Sequence, residues 1–254
     1  MAARATARVT GLVRGRRWHW WRPRNLDWWV GAVLVPGALC FLLAPIDPIA
    51  DAVGLRTDLW AFFVGSVFFT TSGILQLTGA IREQEPSKRR ADLWSAGIQL
   101  TGMFFFNIST YAATLTDRSV VDELHIVWKP DLWGSVCFLV SAIIASLAVG
   151  AVHWPPHSRT RWTATVNLFG CIFFMISALA AYILPSGEVL RVETANRFTS
   201  FGAACFLVCA IRAMADADLE VGITPGRIER RQQRQVERSA KAGARSEGPD
   251  PQPA

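Results

Sequence analysis

The chain has 254 residues, 51% of them apolar, and a formal charge of +6, with a mean hydropathy of +0.26. That balance speaks against an ordinary soluble domain. No basic folded module accompanies the charge, which speaks against a nucleic-acid binder and for charge that sets membrane topology and meets anionic lipid. All five cysteines (Cys40, Cys137, Cys171, Cys205 and Cys209) lie in apolar stretches, so they read as small apolar residues and not as a disulfide framework.

Residues 1–27 form a basic arm with seven arginines and one acid, Asp27, and Trp18, Trp20, Trp21, Trp28 and Trp29 crowd its end. Indole rings favour the headgroup boundary, so the arm is expected along the membrane surface. Six apolar segments follow at about 28–45, 60–81, 93–115, 131–153, 162–184 and 198–214. Each approaches the roughly 20 residues that a helix needs to cross a bilayer. Pro36 predicts a kink in the first. The loop 45–59 holds Asp47, Asp51 and Asp58 against Arg56, whereas 82–92 holds Arg82, Lys88, Arg89 and Arg90. The later loops carry two basic residues each: Arg118 and Lys129, Arg159 and Arg161, Arg191 and Arg197. Taken with the arm and the tail, the positive-inside rule places both termini in the cytoplasm. The low lysine count, three in the chain, fits a high-GC bacterial genome, and the expected location is a bacterial inner membrane. Thr224-Pro225 opens a polar helix bearing Arg227, Arg230, Arg231, Arg234 and Arg238. Residues 243–254 have the composition of a disordered end. The expected division is a basic arm (1–27), a membrane domain (28–216) and a basic tail (217–254). No signal-peptide exit follows the first segment.

Every apolar segment carries one copy of a motif: Gly, two free positions, Phe or Cys, Phe, two free positions, and a small residue. Its glycines are Gly37, Gly65, Gly102, Gly134, Gly170 and Gly202, and the phenylalanines four residues on are Phe41, Phe69, Phe106, Phe138, Phe174 and Phe206. The small residues at +7 include Ser72, Ser109, Ser141, Ser177 and Cys209. Odd segments place Trp29, Trp94 and Trp162 eight residues before the glycine. Even segments close on Ile74, Ile143 and Ile211. Odd glycines recur after 65 and 68 residues, even ones after 69 and 68. A near-constant period with two segment types predicts an all-α membrane protein of six transmembrane helices in three tandem hairpins (about 28–82, 93–153 and 161–214) around a pseudo-threefold axis. Two-helix units enter from the same side, so the repeats are parallel.

At about 100° per residue, positions 0, +3, +4 and +7 share one helix stripe. Lipid supplies no hydrophobic drive between helices, so small residues that permit close backbone contact read as a packing seam. Cys40, Cys137 and Cys205 share slot +3, but Phe68, Phe105 and Phe173 fill it elsewhere, so no metal or other cofactor is expected there. His153 and His157 are separated by two prolines and do not share a helix face. No nucleotide loop, nucleophile elbow or zinc signature appears. The polar residues inside the segments are Gln76, Gln99, Asn107 and Asn167. They read as interhelical hydrogen-bonding groups, with a polar path as the alternative.

The segments 62–69, 97–109 and 134–141 resemble a group of actinobacterial integral membrane proteins. The Phe-x-x-Gly-Ser-x-x-Phe pattern of 62–69 is also similar to the YrhK-like domain, a short membrane hairpin. The resemblance spans roughly 28–214 and implies no activity or catalytic residue. The leading expectation is a non-enzymatic membrane scaffold or interaction protein. Its partners would be the bilayer, anionic lipid at the arm and tail, and a protein or a second copy. The alternative is a channel or facilitator with a path near the repeat axis.

Overall fold

The computed structural model describes residues 21–115, 119–150 and 159–220. The helices are α1 Leu26–Leu43, α2 Asp47–Val53, α3 Leu55–Arg82, α4 Pro86–Thr114, α5 Val120–Asp122, α6 Lys129–Ala148, α7 Arg159–Ala180 and α8 Val192–Glu220. A π-helical turn, Glu123–Trp128, joins α5 to α6 without a break. The predicted tail helix and most of the arm lie outside the described residues, as do His153 and His157.

Local sequence accounts for the ends. The Asn25 side chain caps α1 by accepting from the backbone N–H of Asp27 at 2.8 Å. Pro86 starts α4, where its missing N–H costs nothing. Gly54, at φ 81°, turns the chain from α2 into α3. Pro130 has no N–H to give to the preceding turn. The turn before it widens, and the Lys129 N–H reaches Leu124 instead.

Two predicted loops are therefore partly helical: 45–59 contains α2, and α5 with the π turn leads into α6. Pro36 sits inside α1, which continues through it. Among the described residues, five helical stretches are long and apolar enough to cross a membrane: 26–43, 55–82, 120–148, 160–180 and 192–215. The predicted segment 93–115 lies in α4, a helix of 29 residues that falls short of that apolarity. Gln99, Asn107 and several serines and threonines interrupt it.

The long helices pack in a closed ring, α1–α3–α4–α6–α7–α8 and back to α1. The burial pattern departs from that of a soluble protein. Fully buried positions include Ser66, Ser72, Ser135 and Ser141, while Ile74, Phe104, Ile108, Leu147, Leu179 and Phe201 are exposed. An apolar outside, with small hydrogen-bonded residues where helices meet inside, is the arrangement that a bilayer favours. The chain is an all-α membrane protein. Trp29, Trp94 and Trp162 are all on the exposed side.

Three helix pairs make the same close contact through their motif glycines. A Cβ placed on Gly102 would lie 2.9 Å from the carbonyl oxygen of Gly134, and one on Gly134 would lie 3.0 Å from that of Gly102. In α1 and α3, a Cβ on Gly37 would lie 3.0 Å from the Gly65 oxygen. In α7 and α8, one on Gly202 would lie 3.1 Å from the Gly170 oxygen. The motif phenylalanine of each helix also lies against its partner's glycine: Phe41 on Gly65, Phe69 on Gly37, Phe138 on Gly102, Phe106 on Gly134, Phe206 on Gly170 and Phe174 on Gly202. These six rings then meet one another across the ring of helices. Phe174 stacks on Phe206 at 5.3 Å, and Phe41–Phe174, Phe69–Phe206 and Phe138–Phe206 join different pairs at 5.8–6.1 Å. All six are buried, 2–6% exposed, so phenylalanine fills the centre at this level.

Candidate functional site: a polar vestibule at one end of the ring

Seven residues turn a helix by nearly two full turns and advance it by about 10.5 Å. Positions a heptad from a motif phenylalanine therefore face the same way as that ring. Toward the end of the bundle where α1 starts, the first such layer holds Leu34, Gln76, Gln99, Ala145, Asn167 and Ala213. In the next, α1 and α4 supply Asp27 and Asp92, and Glu83 directly follows α3. Both layers are polar on the side of α3 and α4, and a cavity of about 740 Å3 opens there between α1, α3 and α4.

Its deep wall is formed by Gln76, Ser95 and Gln99, its apolar sides by Leu26, Val30, Leu75 and Ala96, and its charged mouth by Asp27, Arg82, Glu83, Lys88 and Asp92. No motif phenylalanine lines it; it stops short of the phenylalanine layer.

Glu83 closes the α3–α4 turn. It accepts from the backbone N–H groups of Gln84 and Glu85 at 2.9 and 3.2 Å and pairs with Lys88 Nζ at 2.6 Å. The Lys88 hydrogen bond, helped by those N–H groups, holds its carboxyl below the usual range. Asp92 lies one helical turn after Lys88, and burial pushes its carboxyl up, against the attraction of Lys88 and with a small push from Glu83.

The four predicted polar residues do not form one path. Gln76 and Gln99 line the vestibule. Gln76 Nε2 donates to Ser72 Oγ at 3.4 Å, and Gln99 Oε1 lies 3.4 Å from Ser141 Oγ. Asn107 faces the α3–α4 contact, where its Nδ2 donates to Thr70 Oγ1 at 2.7 Å and its buried Oδ1 has no hydrogen-bond partner among the described residues. Asn167 is half-buried on α7, away from the vestibule.

Comparison of the chain with protein-family models, with characterised proteins and with solved structures finds no significant match. The likeness to the YrhK-like hairpin gains no support from these comparisons.

The +7 residues of the even segments make a recurring bond. Ser72 Oγ donates to the Val30 carbonyl at 3.0 Å, Ser141 Oγ to that of Ser95 at 2.9 Å, and Cys209 Sγ to that of Thr163 at 3.6 Å. The acceptor is each time the residue after Trp29, Trp94 or Trp162. Ser177 makes a different bond, to Ala195 O at 2.9 Å, and Ser109 is buried. Cys40, Cys137 and Cys205 each pack on the glycine of their own partner helix, Gly65, Gly102 and Gly170. The three thiols are therefore distributed around the ring.

Composition marks Asp27 only as the one acid of the basic arm, and nothing in the motif pattern groups it with Glu83 and Asp92. Only their shared offset of two heptads from Phe41, Phe69 and Phe106, outside the motif, does so.

Proposed function

We propose that the chain is a six-span scaffold of a bacterial inner membrane, built from three parallel hairpins with both termini cytoplasmic. It carries out no reaction of its own and conducts nothing along its axis. The observation that carries this reading is the layer of six buried phenylalanine rings in contact across the bundle. A conduit needs a wettable lining at its narrowest level, and this level offers only aromatic carbon.

The hairpin reading is supported by the same glycine contact in α1/α3, α4/α6 and α7/α8. A sixth span in α4 is supported by its length of 29 residues, about 44 Å at 1.5 Å per residue. Its outward positions Phe104, Ile108 and Tyr111 support it too. The polar residues that lower its apolarity turn inward to Thr70, Ser66 and Ser141. Arg82, Lys88, Arg89 and Arg90 stand at the end where α1 begins, which favours the cytoplasm for that end.

The test is flux. Purified protein in proteoliposomes is expected to leave ion and small-solute gradients intact, and saturable flux above protein-free vesicles would overturn the scaffold reading. Labelling of single cysteines placed at Glu85 and Pro48 in intact cells checks the orientation, with only Pro48→Cys expected to react from outside.

A further inference from the structure

We propose that two glycines outside the motif, Gly31 on α1 and Gly73 on α3, fix which hairpin stands beside which, so that the ring closes within one chain and does not exchange hairpins with a second copy. The hairpins α1/α3, α4/α6 and α7/α8 meet one another at three seams, α3–α4, α6–α7 and α8–α1. A Cβ on Gly73 would fall on Met103 Sδ of α4. One on Gly31 would fall on the Ala210 carbonyl oxygen and lie 2.6 Å from Met214 Cγ, both of α8. Met103 is 1% exposed and belongs to the common core, so it has no room to swing aside. A methionine therefore fills the space over a glycine at both flanks of the first hairpin. Both glycines stand in that hairpin, and the methionines come one from the second hairpin and one from the third.

The repeat shows why other pairings fit less well. Gly73 lies eight residues after its motif glycine, where α6 and α8 have Ala142 and Ala210. Met103 lies one residue after its own, where α1 and α7 have Ala38 and Cys171. Gly31 lies six residues before its motif glycine, where α4 and α7 have Ala96 and Ala164. Met214 lies twelve after, where α3 and α6 have Leu77 and Ser146. By this register a second hairpin set against a copy of itself would press Met103 on Ala142, and a third set against its copy would press Met214 on Ala164. Overpacking of that kind is destabilising. A first hairpin set against its copy would leave Gly73 opposite Ala38, with a void between them. The order third, first, second fills both sockets without excess. Lipid gives a hairpin no hydrophobic reason to prefer one neighbour over another, so close packing carries the choice.

The test uses the full chain with Leu42→Cys on α1 and Ser200→Cys on α8, placed where Ser200 Oγ donates to the Leu42 carbonyl at 3.1 Å across the closing seam. A flexible bifunctional maleimide links the two. Denaturing electrophoresis then reads a linked monomer for a ring closed within one chain and a covalent dimer for exchanged hairpins, with the chain lacking the added pair as background. With the native seams the product is expected to be monomer. A variant without the sockets carries Gly73→Ala with Met103→Ala, which copies Ala210 and Ala38, and Gly31→Ala with Met214→Ser, which copies Ala164 and Ser146. Its dimer share should rise about fivefold or more. Gly73→Ala with Met103→Ala alone should give a smaller rise, and thermal unfolding reports whether each variant folds. The proposal is overturned if the native seams already give as much dimer, if the four-substitution variant stays monomeric, or if the closing seam does not link at all. Unfolding of the two-substitution variant would also overturn it, because that variant copies a seam this ring already contains. If the four-substitution variant alone unfolds, the other decides by the same readout. The proposal rests on the hairpin grouping and not on the absence of conduction: flux with a linked monomer removes the scaffold alone, and dimer without flux removes this proposal alone.

Discussion

Two glycines in α4 provide an internal comparison. Gly102 faces α6 at the closest approach of the two backbones, whereas a Cβ on Gly97 would have nothing within 4 Å. A Cβ on Gly102 would meet the Gly134 carbonyl oxygen at 2.9 Å, Cys137 Cβ at 2.9 Å and Phe138 at 2.8 Å. Ordinary contact starts near 3.4 Å, so relief requires α6 to retreat by roughly 0.5 Å, and a backbone oxygen cannot rotate away as a side-chain tip can. Overpacking of this kind costs roughly 1–3 kcal/mol. At Gly97 the same substitution meets open space and gains roughly 0.5–1 kcal/mol of helix propensity. Gly102→Ala is therefore expected to be less stable than Gly97→Ala by about 1.5–4 kcal/mol. Reversible unfolding of the purified protein in mixed micelles, followed by tryptophan fluorescence, measures the difference. Gly134→Ala presses on the same contact from the other side, so the double variant with Gly102→Ala should cost less than the sum of the singles. Equal stabilities for Gly97→Ala and Gly102→Ala would refute the close-contact argument.

Other changes test the remaining features. Ser141→Ala removes the bond to the Ser95 carbonyl and should cost roughly 0.6–1.7 kcal/mol in the same unfolding assay. Cys209→Ser should be neutral or stabilising, because a hydroxyl is a better donor to Thr163 than the thiol at 3.6 Å. Phe206→Ala should destabilise by roughly 3–5 kcal/mol, yet a vesicle flux assay should still read no ion passage, because an apolar cavity stays dry. Asp92 should give a pH signature. Burial raises its carboxyl in the folded chain, so its contribution is most favourable below the ordinary value of 3.8 and is lost as pH rises through the raised one. Asp92→Asn should therefore be more stable than the parent at neutral pH, with the gap closing in acid in a series of thermal melts.

The sequence alone determined the long apolar helices, the six motif copies and the inward stripe, because these depend on spacing along one chain. A helix of 100° per residue sets Gly, Phe and the small residue at +7 on one face whatever surrounds it. The same arithmetic linked Gln76 and Glu83 to Phe69, and Asp92 and Gln99 to Phe106, but only as positions on separate helices. Tertiary structure decided that each motif glycine meets its counterpart in the paired helix, and that α8 closes on α1 so that six phenylalanines occupy the centre. It also decided that Asp27, Gln76, Asp92 and Gln99 border one cavity while Asn107 and Asn167 stay outside it. Those outcomes depend on ring closure and on interhelical distances. A close backbone contact forms only when two helices bring their glycines to the same height, and the chain by itself records the glycines but not the height.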